Sequence, residues 1–219
     1  MNLSENILKN WFMLLPIVIC LVFVILIIIE KYLVLQKSKV NVGSFTIKLR
    51  GLIKRKEITE AINYCTEEKS PIANILKKGL RKFKYGRNRI IEAFEIASKL
   101  EILKLEKNLS TLATLSKLTP LLGFLGAIVS LAFAYFKLQD TQIAVDLSIL
   151  NNEIIGATVT SVSGILVGII ALVFHNIFVS TIKKSVFELE MVATEVIDVL
   201  DDTIPEFADI NESDKEFEE

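Results

Sequence analysis

Three runs of the chain carry no formal charge for the length of a bilayer crossing: Trp11 to Ile29, Leu118 to Phe136, and Ile154 to Ser180, the last holding the single His175. At roughly 1.5 Å of rise per residue, each spans a hydrocarbon core about 30 Å thick as a helix. Lipid offers the backbone no hydrogen bonds, so the three runs predict transmembrane helices. The first run is longer than the about 7 to 15 apolar residues of a secretory signal, and Glu30-Lys31 follows it without a small-residue cleavage site. It therefore stays attached, with Trp11 at the interface.

Between the first two runs the pattern turns polar and keeps a helical period. Glu57 to Glu68 reads as a short amphipathic helix, Ser70-Pro71 opens another with proline in a tolerated first-turn position, and Tyr85-Gly86 breaks the chain. From near Asn88 one long helix is expected to run into the second span. Ile102, Leu105, Leu109 and Leu112 hold a 3-4-3 step, Glu95 faces Lys99 one turn on, and no glycine intervenes before Leu118. Pro120 removes one backbone hydrogen bond and is a candidate bend. After the third span Val186, Leu189, Val192, Val196 and Val199 continue in helical register. From Asp201 on, nine residues are acidic and only Lys215 is basic, which reads as a solvated tail.

Composition agrees with a membrane protein that has a large aqueous part: 52% of the 219 residues are hydrophobic, yet 23% are charged. The net charge of -1 implies no nucleic-acid partner. Its distribution says more, since 20 of 25 Lys and Arg lie between Lys31 and Lys117, and none lies from Leu138 to Ile182. By the positive-inside rule the long loop is cytoplasmic, while the N-terminus and the short loop lie outside. The predicted plan is an extracytoplasmic N-terminus (1–10), a first span (11–29), a cytoplasmic helical domain (30–117), a second span (118–136), an extracytoplasmic loop (137–153), a third span (154–180), a cytoplasmic helix (181–200) and an acidic tail (201–219). The outer loop, with Asp140 and Asp146 among apolar residues, is expected to lie on the membrane as a short helix. Cys20 sits in an apolar run and Cys65 in a polar one, so no disulfide is expected.

Enzymatic chemistry finds no support: there is one His, no metal-spaced Cys or His cluster, no P-loop and no nucleophile elbow. No cofactor is expected. The distinctive feature is a face nearly stripped of bulk. Along the third span Ala157, Ser161, Gly164, Gly168, Ala171 and His175 follow one another by 4, 3, 4, 3 and 4 residues. The second span has its own such face in Gly123, Gly126, Ala127, Ser130 and Ala134. Small faces mark close helix contacts, and inward hydroxyls line a contact or a wet path. The spans contain no Asp, Glu, Lys or Arg, Glu30 and Glu153 lying at their ends, so a proton path would need a carboxylate from a second protein. Among the side chains inside a span, His175 alone is of the type that changes charge near neutral pH, and at an interface a histidine is more often simply solvated.

The runs NLSTLATLSKLTPLLGFLGAIVSLAFAY, ATVTSVSGILVGIIALVFHN and EITEAINYCTEEKSPIANILKKGL together resemble the MotA/TolQ/ExbB proton channel family, on the three-span TolQ/ExbB side, from about Gly51 to Leu200. The resemblance implies an all-α ring of five copies in a bacterial inner membrane, whose second and third spans line a pore. It also implies two ExbD/TolR-like single-span partners, whose aspartate carries the proton and whose motion relative to the ring performs mechanical work. Thr160 and Ser161 fall on the family's hydroxyl pair, Gly164 on its glycine and Asn176 on the closing asparagine. Ala127 stands where the family usually has threonine and Ile170 where it usually has proline; losing the threonine hydroxyl favours protons over sodium. On this reading Thr160, Ser161, Ala127 and Ser130 border the ion pathway. Gly123, Gly126, Ala157, Gly164, Gly168 and Ala171 pack the pore or partner helix. The rival reading is a non-conducting membrane scaffold whose cytoplasmic helices dock partners.

Overall fold

In a computed structural model, residues 11–38, 42–68, 70–140 and 147–203 are described, and every regular element among them is helical. The helices are α1 (Trp11–Ser38), α2 (Val42–Lys54), α3 (Ile58–Glu67), α4 (Pro71–Leu80), a 3-10 turn at Phe83–Tyr85, α5 (Arg87–Glu106), α6 (Leu109–Asp140) and α7 (Leu147–Thr203). Three candidate membrane spans fall within Leu14–Gln36, Arg87–Leu138 and Leu150–Thr203, as the apolar runs predict. The N-terminal ten residues, the middle of the expected outer loop (141–146) and all but the start of the acidic tail lie outside the described residues. The chain divides into two compact units, Met1–Lys31 with Asn108–Val179, and Tyr32–Lys107 with Ser180–Glu219.

The first unit holds the apolar runs. On α1, Ile17, Cys20, Val24, Ile27 and Lys31 are buried in 3-4-3-4 steps, the period that keeps one face of a helix inward. The rest of each span is bulky and exposed: Val18, Phe23 and Leu26 on α1, Leu121, Phe124 and Ile128 on α6, and Val162, Ile165 and Ile169 on α7. Apolar surface on this scale is what a lipid-facing helix presents.

The expected single helix from Asn88 through the second span is interrupted. α5 ends at Glu106, Lys107 is extended at ψ 138°, and Asn108 adopts φ 62° before α6 begins. Asparagine is one of the few non-glycine residues that enter this left-handed region, because its short polar side chain can hydrogen-bond locally. Here Asn108 Nδ2 donates to Glu30 Oε2 at 2.8 Å, joining the end of the first apolar run to the start of α6. Pro120 sits inside α6 without ending it.

The second unit is a small helical core. α2 supplies Phe45, Leu49 and Ile53, α4 supplies Ile72, Ile75, Leu76 and Leu80, and α5 supplies Ile90, Phe94 and Ala97. The last turns of α7 add Leu189, Val192, Val196 and Leu200. Ser70 caps α4 by accepting from the Ala73 N–H at 3.3 Å, with Pro71 in the first turn, an arrangement worth about 1 kcal/mol. Gly86, at φ 88°, ends the 3-10 turn where the sequence predicts a break. The expected Glu95–Lys99 pair is present at 3.9 Å. Arg50 pairs with Glu195, and Arg87 Nε donates to Asp201 Oδ2 at 3.1 Å. α7 continues from the third span to Thr203, so Asp201 and Asp202 are helical rather than the first residues of a solvated tail.

Candidate functional site

The two small-residue faces predicted on α6 and α7 meet each other. A Cβ placed on Gly164 would lie 2.8 Å from Gly123 Cα and 2.8 Å from the Thr119 carbonyl oxygen; one on Gly123 would lie 2.9 Å from the Thr160 carbonyl oxygen. Backbone is therefore packed on backbone, which only glycine allows. Lower along the same contact, a Cβ on Gly168 would lie 2.4 Å from Pro120 Cγ, so the proline ring fills the notch that this glycine leaves. Gly126 is looser, with the Thr160 side chain 3.4 Å from where its Cβ would stand. Ala134, Ala157 and Ala171 are buried as well, whereas Ala127 is half-buried and Ile170, at the position of the absent proline, is exposed. The seam needs no second chain to explain its lack of bulk.

Hydroxyls run along this contact, each with its proton committed. Thr160, 1% exposed, shares its hydroxyl proton between the carbonyls of Gly156 at 3.1 Å and Ala157 at 2.9 Å. Ser161 is half-buried and reaches across to the Gly123 carbonyl at 3.5 Å. On α6, the Thr119 hydroxyl donates to Leu115 O at 2.7 Å and that of Ser116 to Ala113 O at 2.8 Å, both residues being buried. Such bonds satisfy the donor and leave oxygen lone pairs free to accept from water or from a neighbouring acid. His175 stands apart from this row, its Nδ1 3.4 Å from Asn176 Oδ1.

The far end of the seam carries a charge cluster. Glu153 is buried; its carboxylate accepts from the Ser130 hydroxyl at 3.2 Å and from Lys137 Nζ at 2.5 Å. Ser130 is also within 3.1 Å of the Glu153 carbonyl oxygen. Ser130 thus lies beside an acid rather than beside Thr160. The sequence reading places Glu153 at the end of a span and misses its burial. It also misses Ser116 and Thr119, although 116, 119, 123, 126 and 130 continue one helix face in 3-4-3-4 steps.

No curated protein matches the chain. Residues 67–191, more than half of the 219, do match the MotA/TolQ/ExbB proton channel family, a stretch that runs from the end of α3 through the seam and into the last turns of α7. With that match, and with three apolar helices of which the second and third are locked glycine to glycine, the chain belongs to the MotA/TolQ/ExbB proton channel family.

Proposed function

We propose that the chain is the ring-forming subunit of a proton-driven motor. Five copies surround two single-span partners of the ExbD/TolR kind, and the complex drives an envelope process such as transport across a bacterial inner membrane. Family membership gives the coarser statement, a membrane protein of proton-channel type that transduces energy together with partner proteins. The observation that carries the finer reading is the hydroxyl row of Thr160 and Ser161 in a span with no carboxylate between Ile154 and Ser180. The row offers oxygen acceptors and no titratable acid. A proton crossing here rides on a carboxylate brought by another helix, with Thr160, Ser161, Ala127 and Ser130 along its path. The positive charge concentrated between Lys31 and Lys117 supports a cytoplasmic C-terminus and an outside N-terminus. One charge falling through 100 mV releases about 2.3 kcal/mol, enough for a few protons per step to move a helix against its packing. The chain itself contributes no catalytic residue in this scheme.

A second reading, a non-conducting scaffold, draws on the closed geometry of the seam: its glycines are occupied by one another, and the Thr160 hydroxyl bonds to its own helix. The double change Thr160→Val and Ser161→Ala separates the two. In vesicles containing the chain and its copurified partner, the motor reading expects proton uptake to fall severalfold while assembly is retained. Unchanged uptake takes these hydroxyls out of the path and favours the scaffold.

A further inference from the structure

The turn between α4 and α5 concentrates positive charge that the channel reading does not use. From Lys77 to Arg89 the sequence KKGLRKFKYGRNR holds seven basic residues and no acidic one. Lys78, Arg81, Lys82, Lys84 and Arg89 are exposed. Lys82 lies over the Tyr85 ring, 5.0 Å from its centroid, and Arg89 pairs with Glu92 on the next turn at 2.9 Å. Among the described residues no carboxylate stands within ion-pair distance of Lys78, Arg81 or Lys84. An open groove of about 400 Å³ runs beside the cluster, lined by Lys82, Arg89 and its partner Glu92 together with the apolar surface of Tyr85, Ala93 and Ile96.

Arg87, near the end of this run, bonds Asp201 at 3.1 Å, two residues before the described part of α7 ends. The sixteen residues that follow, 204–219, carry seven acidic side chains against one lysine, with Phe207, Ile210 and Phe217 set among them. We infer that segment 204–219 docks on the Lys77–Arg89 cluster of its own chain, its carboxylates on the basic residues and its apolar side chains on the apolar surface of the groove.

Reach, charge and local concentration all favour this occupant. Lys84 is three residues from Arg87, so their Cα atoms are at most about 11 Å apart, a distance that four extended residues cover. Arg87 and the groove lie on opposite sides of the first turns of α5. Half the circumference of a helix about 10–12 Å across is roughly 17 Å, or five to six extended residues out of sixteen. A ligand tethered that close to its site acts at an effective concentration in the millimolar range, which a free acidic peptide or lipid headgroup does not match unaided. Single exposed ion pairs are weak, so the contact depends on several formed together and is sensitive to salt.

Zero-length carbodiimide cross-linking of the full chain in mild detergent, read by mass spectrometry on an equal mixture of unlabelled and 15N-labelled protein, tests this. The expected result is cross-links from Lys78, Lys82 or Lys84 to carboxylates between Glu206 and Glu216, without mixed-isotope pairs. These fall at least fivefold between 50 mM and 1 M salt. Changing Glu206, Asp209, Glu212 and Asp214 to their amides is expected to raise the rate of tryptic cleavage at Arg81 and Lys84 at low salt to the rate seen at high salt. Mixed-isotope pairs alone would place the segment on another copy and overturn the proposal. So would cross-links spread over lysines outside the cluster, or tryptic cleavage that does not respond to the amide changes.

Discussion

Gly164→Ala adds a single methyl group where the two spans touch, and its cost follows from the geometry. The new carbon would start 2.8 Å from Gly123 Cα and from the Thr119 carbonyl oxygen, so the helices must part by about 0.6 Å to reach the 3.4 Å edge of ordinary contact. Both obstacles are backbone atoms, and no rotamer change removes them. Gly126→Ala, on the facing helix of the same seam, meets only the Thr160 side chain at 3.4 to 3.7 Å and fits without movement. Both substitutions gain the same roughly 0.8–1.0 kcal/mol of helix propensity, so comparing them cancels that gain. What remains is overpacking, about 1–3 kcal/mol, a factor of roughly 5 to 150 in the folding equilibrium. For a chain of this size each kcal/mol moves the unfolding midpoint by about 2–4 °C, so Gly164→Ala is expected to melt about 2–12 °C below Gly126→Ala in the same detergent. Equal midpoints for the two variants would refute the close approach of Gly164 to Gly123.

Lys56 adopts φ 62° where α2 turns into α3, its N–H bonded to Ile53 O at 2.8 Å. Lys56→Gly relieves a left-handed penalty of about 1–2 kcal/mol and loses part of that to the greater freedom of the unfolded chain, so thermal denaturation is expected to show a modest gain, whereas Lys56→Val lowers the midpoint. Burial pushes the Cys65 thiol from an ordinary 9.0 up to about 12, with nearby Lys77 acting in the opposite direction. The folded state therefore holds the proton more tightly: this contribution is complete below pH 9 and is lost as pH rises towards 12. At pH 8 Cys65 is expected to resist maleimide until denaturant is added, and rapid labelling of the native chain would contradict its burial.

The spans and the breaks at Ser70-Pro71 and Tyr85-Gly86 are legible in the sequence because each rests on a local rule: charge-free length, a cap, a residue that accepts positive φ. The break at Asn108 is not, because asparagine is tolerated both inside a helix and in the left-handed region. What decides it is the distant Glu30, 78 residues away in sequence. The small faces of α6 and α7 are legible as faces. That they answer each other within one chain depends on how two helices are turned about their axes, which periodicity along either one leaves open. Glu153 sits at the boundary of an apolar run, where a charge is equally at home in water; only the approach of Ser130 and Lys137 buries it.

The glycine seam also bears on how such a chain is made. α6 and α7 are consecutive in sequence, with only residues 141–146 between the end of one and the start of the other. The entropy of bringing together the ends of so short a connection is small. Helices that insert independently and then associate find their first partner most easily in the neighbour synthesised next, and this pair needs nothing from outside to complete its contact. Its terminal acid arrives with its own lysine and serine, so the Glu153 carboxylate is compensated within the hairpin. In the terms of membrane-protein biogenesis, the hairpin is a finished part once its two helices are inserted, with the bulky side chains of Leu121, Phe124, Val162 and Ile165 left on its outside.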